Sequence, residues 1–195
     1  DWDNALIFSV YAFAIVDLLF PWLFSESVEI SFTSLFWSIF VGHYCLVEPV
    51  YYVAHRLMHH RYFYSKTHYH HHASIITMAR SGTSHPFGEN VLYMCIFSMP
   101  FLLPAVIGCF SMDIIIPYFL WFDFMNMIGH CNFEVMPLWV STSFLKYFIY
   151  TSSYHSLHHT KLRGNYILFC PMWDYLFGTV RKENIKLHES VINSH

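Results

Sequence analysis

The sequence predicts an all-α protein, an integral membrane helical bundle with about four transmembrane helices. Hydrophobic residues make up 55% of the chain and charged residues only 12%, which is about half the share near 25% that soluble domains carry. The mean hydropathy is +0.38. A chain of 195 residues is predicted to form one domain, residues 1–195.

Four apolar segments define the predicted spans. A helix needs about 20 residues to cross a bilayer, within a range of about 17–25. Three segments reach that length, and the short fourth suits a tilted helix or a re-entrant hairpin with the third. A buried soluble bundle, the alternative, would need more charge on its outer faces. The segments run at about residues 5–24, 32–54, 91–110 and 114–128.

The basic residues predict an orientation for these spans. All ten lysines and arginines lie between Arg56 and Lys186, in regions that fall on one side of the membrane if the segments alternate. Because cytoplasmic loops carry the excess of Lys and Arg, that side is predicted to face the cytosol. The net charge of −3 gives no sign of nucleic-acid binding.

Histidines are concentrated in one stretch that follows the second segment directly. Seven of the fifteen lie between His55 and His72. Read as helix, the i, i+3 and i+4 spacings place ring pairs and triples on one face. A solvated histidine-rich tract is the alternative reading. The predicted ligand positions are His55, His59, His68, His71 and His72.

A second triple repeats this spacing far along the chain, at His155, His158 and His159. Imidazole suits iron, zinc, copper and nickel, and these clusters offer more ligands than one four-coordinate ion can use. The sequence therefore predicts two metal ions in one cytosolic site. His130, at the cytosolic end of the fourth segment, is a further predicted ligand. Glu134 is a candidate ligand or a carboxylate that orients an imidazole, with a surface or capping role as the alternative.

Other polar residues are less specific. His60 and His70 fall between the paired positions and suit either a ligand or a surface role. His85 precedes a proline and suits a structural or substrate-lining role. Asp174 is a candidate acceptor for the N–H of a ligand imidazole, with a helix or turn cap as the equal alternative. His43 is either a hydrogen-bonded core residue or a polar group in a channel.

The ordered histidine boxes resemble those of the fatty acid hydroxylase and sterol desaturase superfamily of membrane di-metal enzymes. The stretches between the boxes look most like the plant wax aldehyde decarbonylase branch. The boxes are HRLMHH, HYHHH and HSLHHT, followed by NYILFCPMWDYLFGT; the branch is suggested by YSKTHYHHHASIIT, HPFGENVLY, DFMNMIGHCNFE and YTSSYHSLHHTKLRGNY.

The resemblance implies an iron-dependent enzyme of the endoplasmic reticulum membrane that uses O2 to convert very-long-chain aldehydes to alkanes one carbon shorter. It implies two iron ions, with zinc as the substitute expected in a purified sample. The lipid substrate would enter from the bilayer. Electrons would come from cytochrome b5 or a reductase, because the chain has no GxGxxG or other nucleotide motif. Homo- and hetero-oligomers both stay open.

Two other functions stay open at this point. The same boxes would serve a sterol or fatty acyl hydroxylase or desaturase, since the helices rather than the boxes select the substrate. A membrane metal transporter or metal-binding protein is the more distant alternative, although it would place ionisable ligands through the bilayer midplane. The chain starts at Asp1 without a signal-peptide pattern, and we expect a fragment or trimmed domain.

Overall fold

The computed structural model describes residues 32–106 and 112–194, and within these ranges every regular element is helical and no strand occurs. The predicted all-α class is thereby confirmed. The first predicted segment, residues 5–24, lies outside the described residues. The helices are α1 (Phe32–Gly42), α2 (Glu48–Met58), α3 (Tyr64–Thr67), α4 (Phe87–Phe97), α5 (Met99–Val106), α6 (Met112–Gly129), α7 (Leu138–Thr142), α8 (Ser152–Lys161), α9 (Met172–Leu176) and α10 (Asn184–Ile192).

The second apolar segment runs through α1 and α2 and is interrupted by a π-helical turn at His43–Val47. The turn buries the imidazole of His43, whose Nδ1 lies 2.6 Å from the hydroxyl of Tyr118. Just beyond it, the buried Glu48 carboxylate accepts the backbone N–H groups of Leu168 and Phe169 at 3.2 and 2.7 Å. His43 is therefore a hydrogen-bonded core residue, and Glu48 fixes a distant loop against the start of α2.

The third apolar segment is two helices, α4 and α5, that meet at a bend of 45°. Pro100 follows the bend, where its ring opposes the carbonyl of Ile96 and it lacks an N–H for the helical ladder. Within the described ranges no single helix is both long and apolar enough to cross a membrane. The bent pair α4–α5 meets that standard by length and composition, whereas α6 is a shorter apolar helix.

The core is largely aromatic and connects the helices to the loop that precedes α9. Helix α6 packs on α8, and α2 packs on α4 and α9. This arrangement brings the ends of α2, α6 and α8 together, which positions the histidine-rich segments. The buried aromatic residues include Tyr51, Tyr52, Tyr93, Phe97, Phe101, Tyr118, Phe122, Tyr150, Tyr154, Tyr166 and Phe169.

Gly129, at the end of α6, lets the ring of Tyr150 approach the helix backbone, and the Tyr150 hydroxyl donates to the carbonyl of Met125. Because a Cβ at position 129 would overlap that ring, Gly129→Ala is expected to lower the free energy of unfolding by about 1–3 kcal/mol. Gly88→Ala is the control, since a Cβ there meets nothing within 4 Å. Denaturant unfolding of both variants in detergent tests this, and equal stability would contradict it.

Candidate metal centre

The clustered histidines come from four parts of the fold: α2, the segment between α2 and α4, the residue after α6, and α8. Helix α2 carries His55 in its last turn, with His59 just past its end, and α8 carries the second triple. The spacing predicted a continuous helix for the segment between α2 and α4, but the structure shows a broken one. It forms the short α3 and then a 3₁₀ turn at His71–Ala73.

The nine predicted ligand positions all converge, but they divide into two groups that do not follow the sequence boxes. In each group the ring nitrogens lie within 4.8 Å of one another. All are buried except His59, which is partly buried. The five-histidine cluster is His55, His59, His68, His72 and His158, and the four-histidine cluster is His71, His130, His155 and His159.

The five-histidine cluster contains a closed ring of Nε2 atoms. In the order 55, 59, 72 and 68, successive Nε2 atoms are 3.2, 3.1, 3.0 and 2.9 Å apart. The Nε2 of His158 lies 3.1 Å from that of His55. A square with such edges has corners about 2.2 Å from its centre, close to the roughly 2.0–2.1 Å of a zinc–imidazole bond. The spacing therefore fits one ion held by several imidazoles.

The tautomers of two of these rings leave their Nε2 atoms available to a cation. Nδ1–H of His55 donates to the carbonyl of Tyr166 at 2.7 Å, and Nδ1–H of His158 donates to Gly164 at 2.9 Å. In the neutral rings each Nε2 then carries a lone pair and no proton. At 3.1 Å these lone pairs face each other without a bridging hydrogen. A metal ion bound between them would replace this repulsion with coordination.

The four-histidine cluster also brings Nε2 atoms together. The Nε2 of His155 lies 3.0 Å from that of His130 and 3.2 Å from that of His159. Nδ1–H of His130 donates to the carbonyl of Asn126, one turn back in α6, at 2.9 Å. This bond fixes the ring so that its Nε2 points at the other imidazoles. His71 completes the group, its ring centroid 4.7 Å from that of His159.

Neighbouring histidines in the chain serve different clusters. His71 belongs to the four-histidine cluster and His72 to the other, and His159 and His158 divide in the same way. The rings of His72 and His159 lie 4.4 Å apart across the boundary. Each HH pair therefore ties the two clusters together through a single peptide unit.

Burial keeps these imidazoles neutral. It lowers the pKa of His158 to about 3, that of His130 to about 4 and that of His159 to about 2. Neighbouring histidines lower the pKa of each ring further. Because metal ligation requires the neutral ring, the cluster is ready for a cation at neutral pH without losing protons first.

Glu89, in the first turn of α4, is a buried carboxylate that sequence reasoning missed. Its Oε1 accepts from Nδ1 of His68 at 2.6 Å and lies 3.2 Å from Nδ1 of His85. His85 in turn stacks on His71 with ring centroids 4.3 Å apart. Burial by itself raises the pKa of this carboxyl, but the bonds from both histidines lower it to about 2. Glu89 therefore supplies a fixed negative charge to the centre.

Glu89→Gln is expected to weaken metal binding by about 10–100-fold, the usual cost of losing a carboxylate that holds a ligand histidine. Metal per chain, measured by mass spectrometry after dialysis against a series of chelator concentrations, tests this. Glu189→Gln is the matched control, because that carboxylate lies exposed on α10. Equal metal retention by the two variants would contradict the role of Glu89.

For the two candidate carboxylates, Glu134 and Asp174, the structure shows the capping role that was the alternative to orienting a ligand imidazole. Glu134 accepts the backbone N–H and the hydroxyl of Ser153 at 2.9 and 2.6 Å, so it caps the start of α8. Asp174 accepts from Tyr154, Thr179 and two backbone N–H groups, including that of Tyr166. Glu134 thus holds the helix that carries the second histidine triple, and Asp174 holds the loop whose Tyr166 carbonyl accepts from His55. Neither carboxylate contacts an imidazole among the described residues.

The other histidines of the described ranges lie outside both clusters. His60 and His70 are exposed, which excludes them as ligands in this arrangement. His188 is buried against the hydroxyl of Ser141, 2.6 Å from its Nδ1, and 2.8 Å from the carbonyl of Met136. It anchors α10 to the segment around α7.

A cavity of about 380 Å³ borders the four-histidine cluster and contains no residue of the other cluster in its wall. This volume falls within the range of about 300–1,000 Å³ typical of small-molecule sites. One wall is a face of α6 that leads down to His130. The lining combines phenylalanine and tyrosine rings with polar side chains. The rings are those of Tyr51, Tyr93, Phe97, Phe119, Phe122 and Tyr150, and the polar members are His71, Thr83, His85, Asn90, Asp123, Asn126, His130 and His155.

The sequence was compared with protein-family models and with known proteins. The model of the fatty acid hydroxylase family matches residues 40–179, which include all nine clustered histidines. Very-long-chain aldehyde decarbonylase GL1-4 of Oryza sativa subsp. japonica is 48% identical over 146 residues, 74% of this chain and 24% of that protein. Very-long-chain aldehyde decarbonylase CER1 of Arabidopsis thaliana is 36% identical over 200 residues, 98% of this chain and 31% of that protein.

The chain thus spans between about a quarter and a third of the length of these relatives. No solved structure gives a match. The family model covers well over half of the chain, and the matched region contains the whole two-cluster centre. The chain belongs to the fatty acid hydroxylase family.

Proposed function

We propose that this chain forms the catalytic domain, residues 1–195, of an iron-dependent membrane enzyme that converts very-long-chain aldehydes to alkanes one carbon shorter. The observation that carries the proposal is the pair of imidazole clusters, one of which borders an aromatic cavity. The names of the relatives supply the substrate class.

The nine clustered histidines would hold two metal ions, and the lone pairs of their Nε2 atoms fit that role. When bound there, two iron ions supply redox equivalents and activate O2, which side chains alone cannot do. The protein fixes the tautomer of four of these rings, because the carbonyls of Asn126, Gly164 and Tyr166 and the carboxylate of Glu89 accept from Nδ1 of His130, His158, His55 and His68. Zinc suits the same nitrogens and is the expected contaminant of a purified sample.

The two clusters are proposed to have different tasks. Only the four-histidine cluster borders the cavity, and it has one imidazole fewer, which leaves room for a further ligand. The aldehyde carbon is therefore proposed to sit at this cluster, with the apolar chain along the rings of Phe97, Phe119 and Phe122. These rings exclude water from the reacting end.

We further propose a multi-pass location in the endoplasmic reticulum membrane with both clusters on the cytosolic side. Supporting observations are the apolar composition, the one-sided distribution of basic residues and large apolar side chains exposed on α1 and α5, such as Trp37 at 60% and Leu103 at 61%. The lipid substrate would come from the bilayer, and electrons from cytochrome b5 or a reductase.

Expression in yeast membranes supplied with a very-long-chain aldehyde tests the function. Gas chromatography with mass spectrometry should detect an alkane one carbon shorter, absent in a His158→Ala control. A His158-dependent change in sterols or hydroxylated acyl chains, without alkane, would favour the hydroxylase and desaturase alternative that the family name also fits. Metal uptake without any oxygen-dependent product would reject enzymatic function.

A further inference from the structure

The five-histidine cluster, which does not border the cavity, approaches the protein surface at one tight turn. Leu162, Gly164 and Asn165 have positive φ angles of 58°, 85° and 56°. The carbonyls of Gly164 and Tyr166, on either side of Asn165, accept from His158 and His55 of this cluster. The turn is therefore in direct hydrogen-bond contact with two imidazoles of the five-histidine cluster.

The outer side of this turn is basic. Lys161 and Arg163 are exposed on the turn itself. Arg181 and Lys182 lie beside it, because the backbone N–H of Arg181 donates to the side chain of Asn165 at 2.9 Å. One acid accompanies them, Glu183, which pairs with Arg181 at 2.9 Å. We call the four cations Lys161, Arg163, Arg181 and Lys182 the basic turn surface.

We propose that the basic turn surface is the docking site of an acidic electron-carrier protein that delivers electrons to the five-histidine cluster. The inference rests on the proposed function, which requires iron in that cluster and an external donor. In each encounter one ferrous haem of the donor is oxidised and the metal site gains one electron. From Arg163 the path is short, since the neighbouring Gly164 carbonyl already bonds the ring of His158 at 2.9 Å.

This placement separates the two kinds of reactant. Electrons enter at the five-histidine cluster, while substrate reaches the four-histidine cluster through the cavity, so a docked donor does not obstruct the lipid. Four cations against one anion also steer an acidic partner over a distance of about 10 Å at 0.1 M salt. The predicted signature is therefore electron transfer that slows strongly as salt is added.

The experiment uses the iron-loaded protein in zwitterionic nanodiscs and the reduced soluble domain of cytochrome b5 as the probe. Stopped-flow absorbance follows haem reoxidation, and thermophoresis measures the binding affinity without electron transfer. Arg163→Glu/Lys182→Glu is compared with Lys66→Glu/Arg80→Glu, which changes the net charge equally at exposed positions in other segments. Reduction by dithionite, a small reagent, checks that the metal site is intact in each variant.

The expected result is at least a tenfold loss of the second-order rate constant and of affinity for Arg163→Glu/Lys182→Glu alone, with a flatter salt dependence and unchanged dithionite reduction. Equal effects of both double variants, or no effect of either, would overturn the docking site while leaving the proposed function intact. An effect that appears only in anionic nanodiscs would overturn it in favour of lipid headgroups. A wild-type site that dithionite cannot reduce would overturn the proposed function as well.

Discussion

His155→Ala is expected to abolish alkane formation and to reduce the bound metal from two ions per chain to one. The ring of His155 contacts two other imidazoles of the four-histidine cluster, at 3.0 Å from His130 and 3.2 Å from His159, and it lines the cavity. Its loss leaves three ligands there and five in the other cluster. Turnover should fall by more than about 100-fold, since losing even an outer partner of a ligand costs about 10–100-fold in activity or metal affinity.

Product formation by gas chromatography and metal per chain by mass spectrometry are measured on the same preparation. His60→Ala is the matched control, an exposed histidine from the same sequence stretch that lies outside both clusters. Two ions retained in His155→Ala, or an equal loss of activity in His60→Ala, would contradict the division of the histidines.

Asp174→Asn is expected to lower the free energy of unfolding by about 2–4 kcal/mol, because buried donors that face a carboxylate are costly to leave unpaired. Burial raises the pKa of this carboxyl, and its hydrogen bonds oppose that shift. It accepts from the backbone N–H groups of Tyr166 and Ile167 and from the hydroxyls of Tyr154 and Thr179. In Asp174→Asn an NH₂ group replaces one of the two carboxylate oxygens. Because that group cannot accept a hydrogen bond, at least one of the four donors loses its partner.

The consequence extends to the metal, since the carbonyl of Tyr166 holds His55. Metal should therefore leave the five-histidine cluster more readily in Asp174→Asn. Tyr154→Phe removes only one of the four bonds and is expected to cost about 1 kcal/mol. Denaturant unfolding of both variants, followed by tryptophan fluorescence, checks the ranking; a wild-type unfolding midpoint for Asp174→Asn would contradict it.

Much of the centre could be predicted from sequence because histidine spacing is a local property. Histidine spacing identified eight positions and the place of His130 at the end of the fourth segment gave the ninth, and the structure places all nine in the clusters. The division into five and four was not predictable, since adjacent residues such as His71 and His72 point to different clusters. That choice depends on the 3₁₀ turn that replaces the expected helix. Whether these rings bind iron in the cell stays a prediction.

The carboxylates show the limit of the same reasoning. Glu134 is four residues from His130 in the sequence and Asp174 lies in the motif after the last histidine box, yet they cap a helix start and a loop. Glu89 is 21 residues from His68 and joins it only through the packing of α4. The helices within the apolar runs were predictable, with α6 at 112–129 close to the predicted 114–128, whereas the short helices α7, α9 and α10 lie outside those runs. The π-helical turn at His43–Val47 has no comparable local signal.

The contact between His55 and His158 joins residues 103 positions apart. At a synthesis rate of about 5–20 residues per second, the first ligand leaves the ribosome roughly 5–20 s before its partner. During that interval α2 presents unpaired imidazoles, and both clusters stay open because each needs α8. If the clusters hold iron as proposed, neither site can be complete before α8 is synthesised, and zinc would have several seconds in which to bind the imidazoles already exposed.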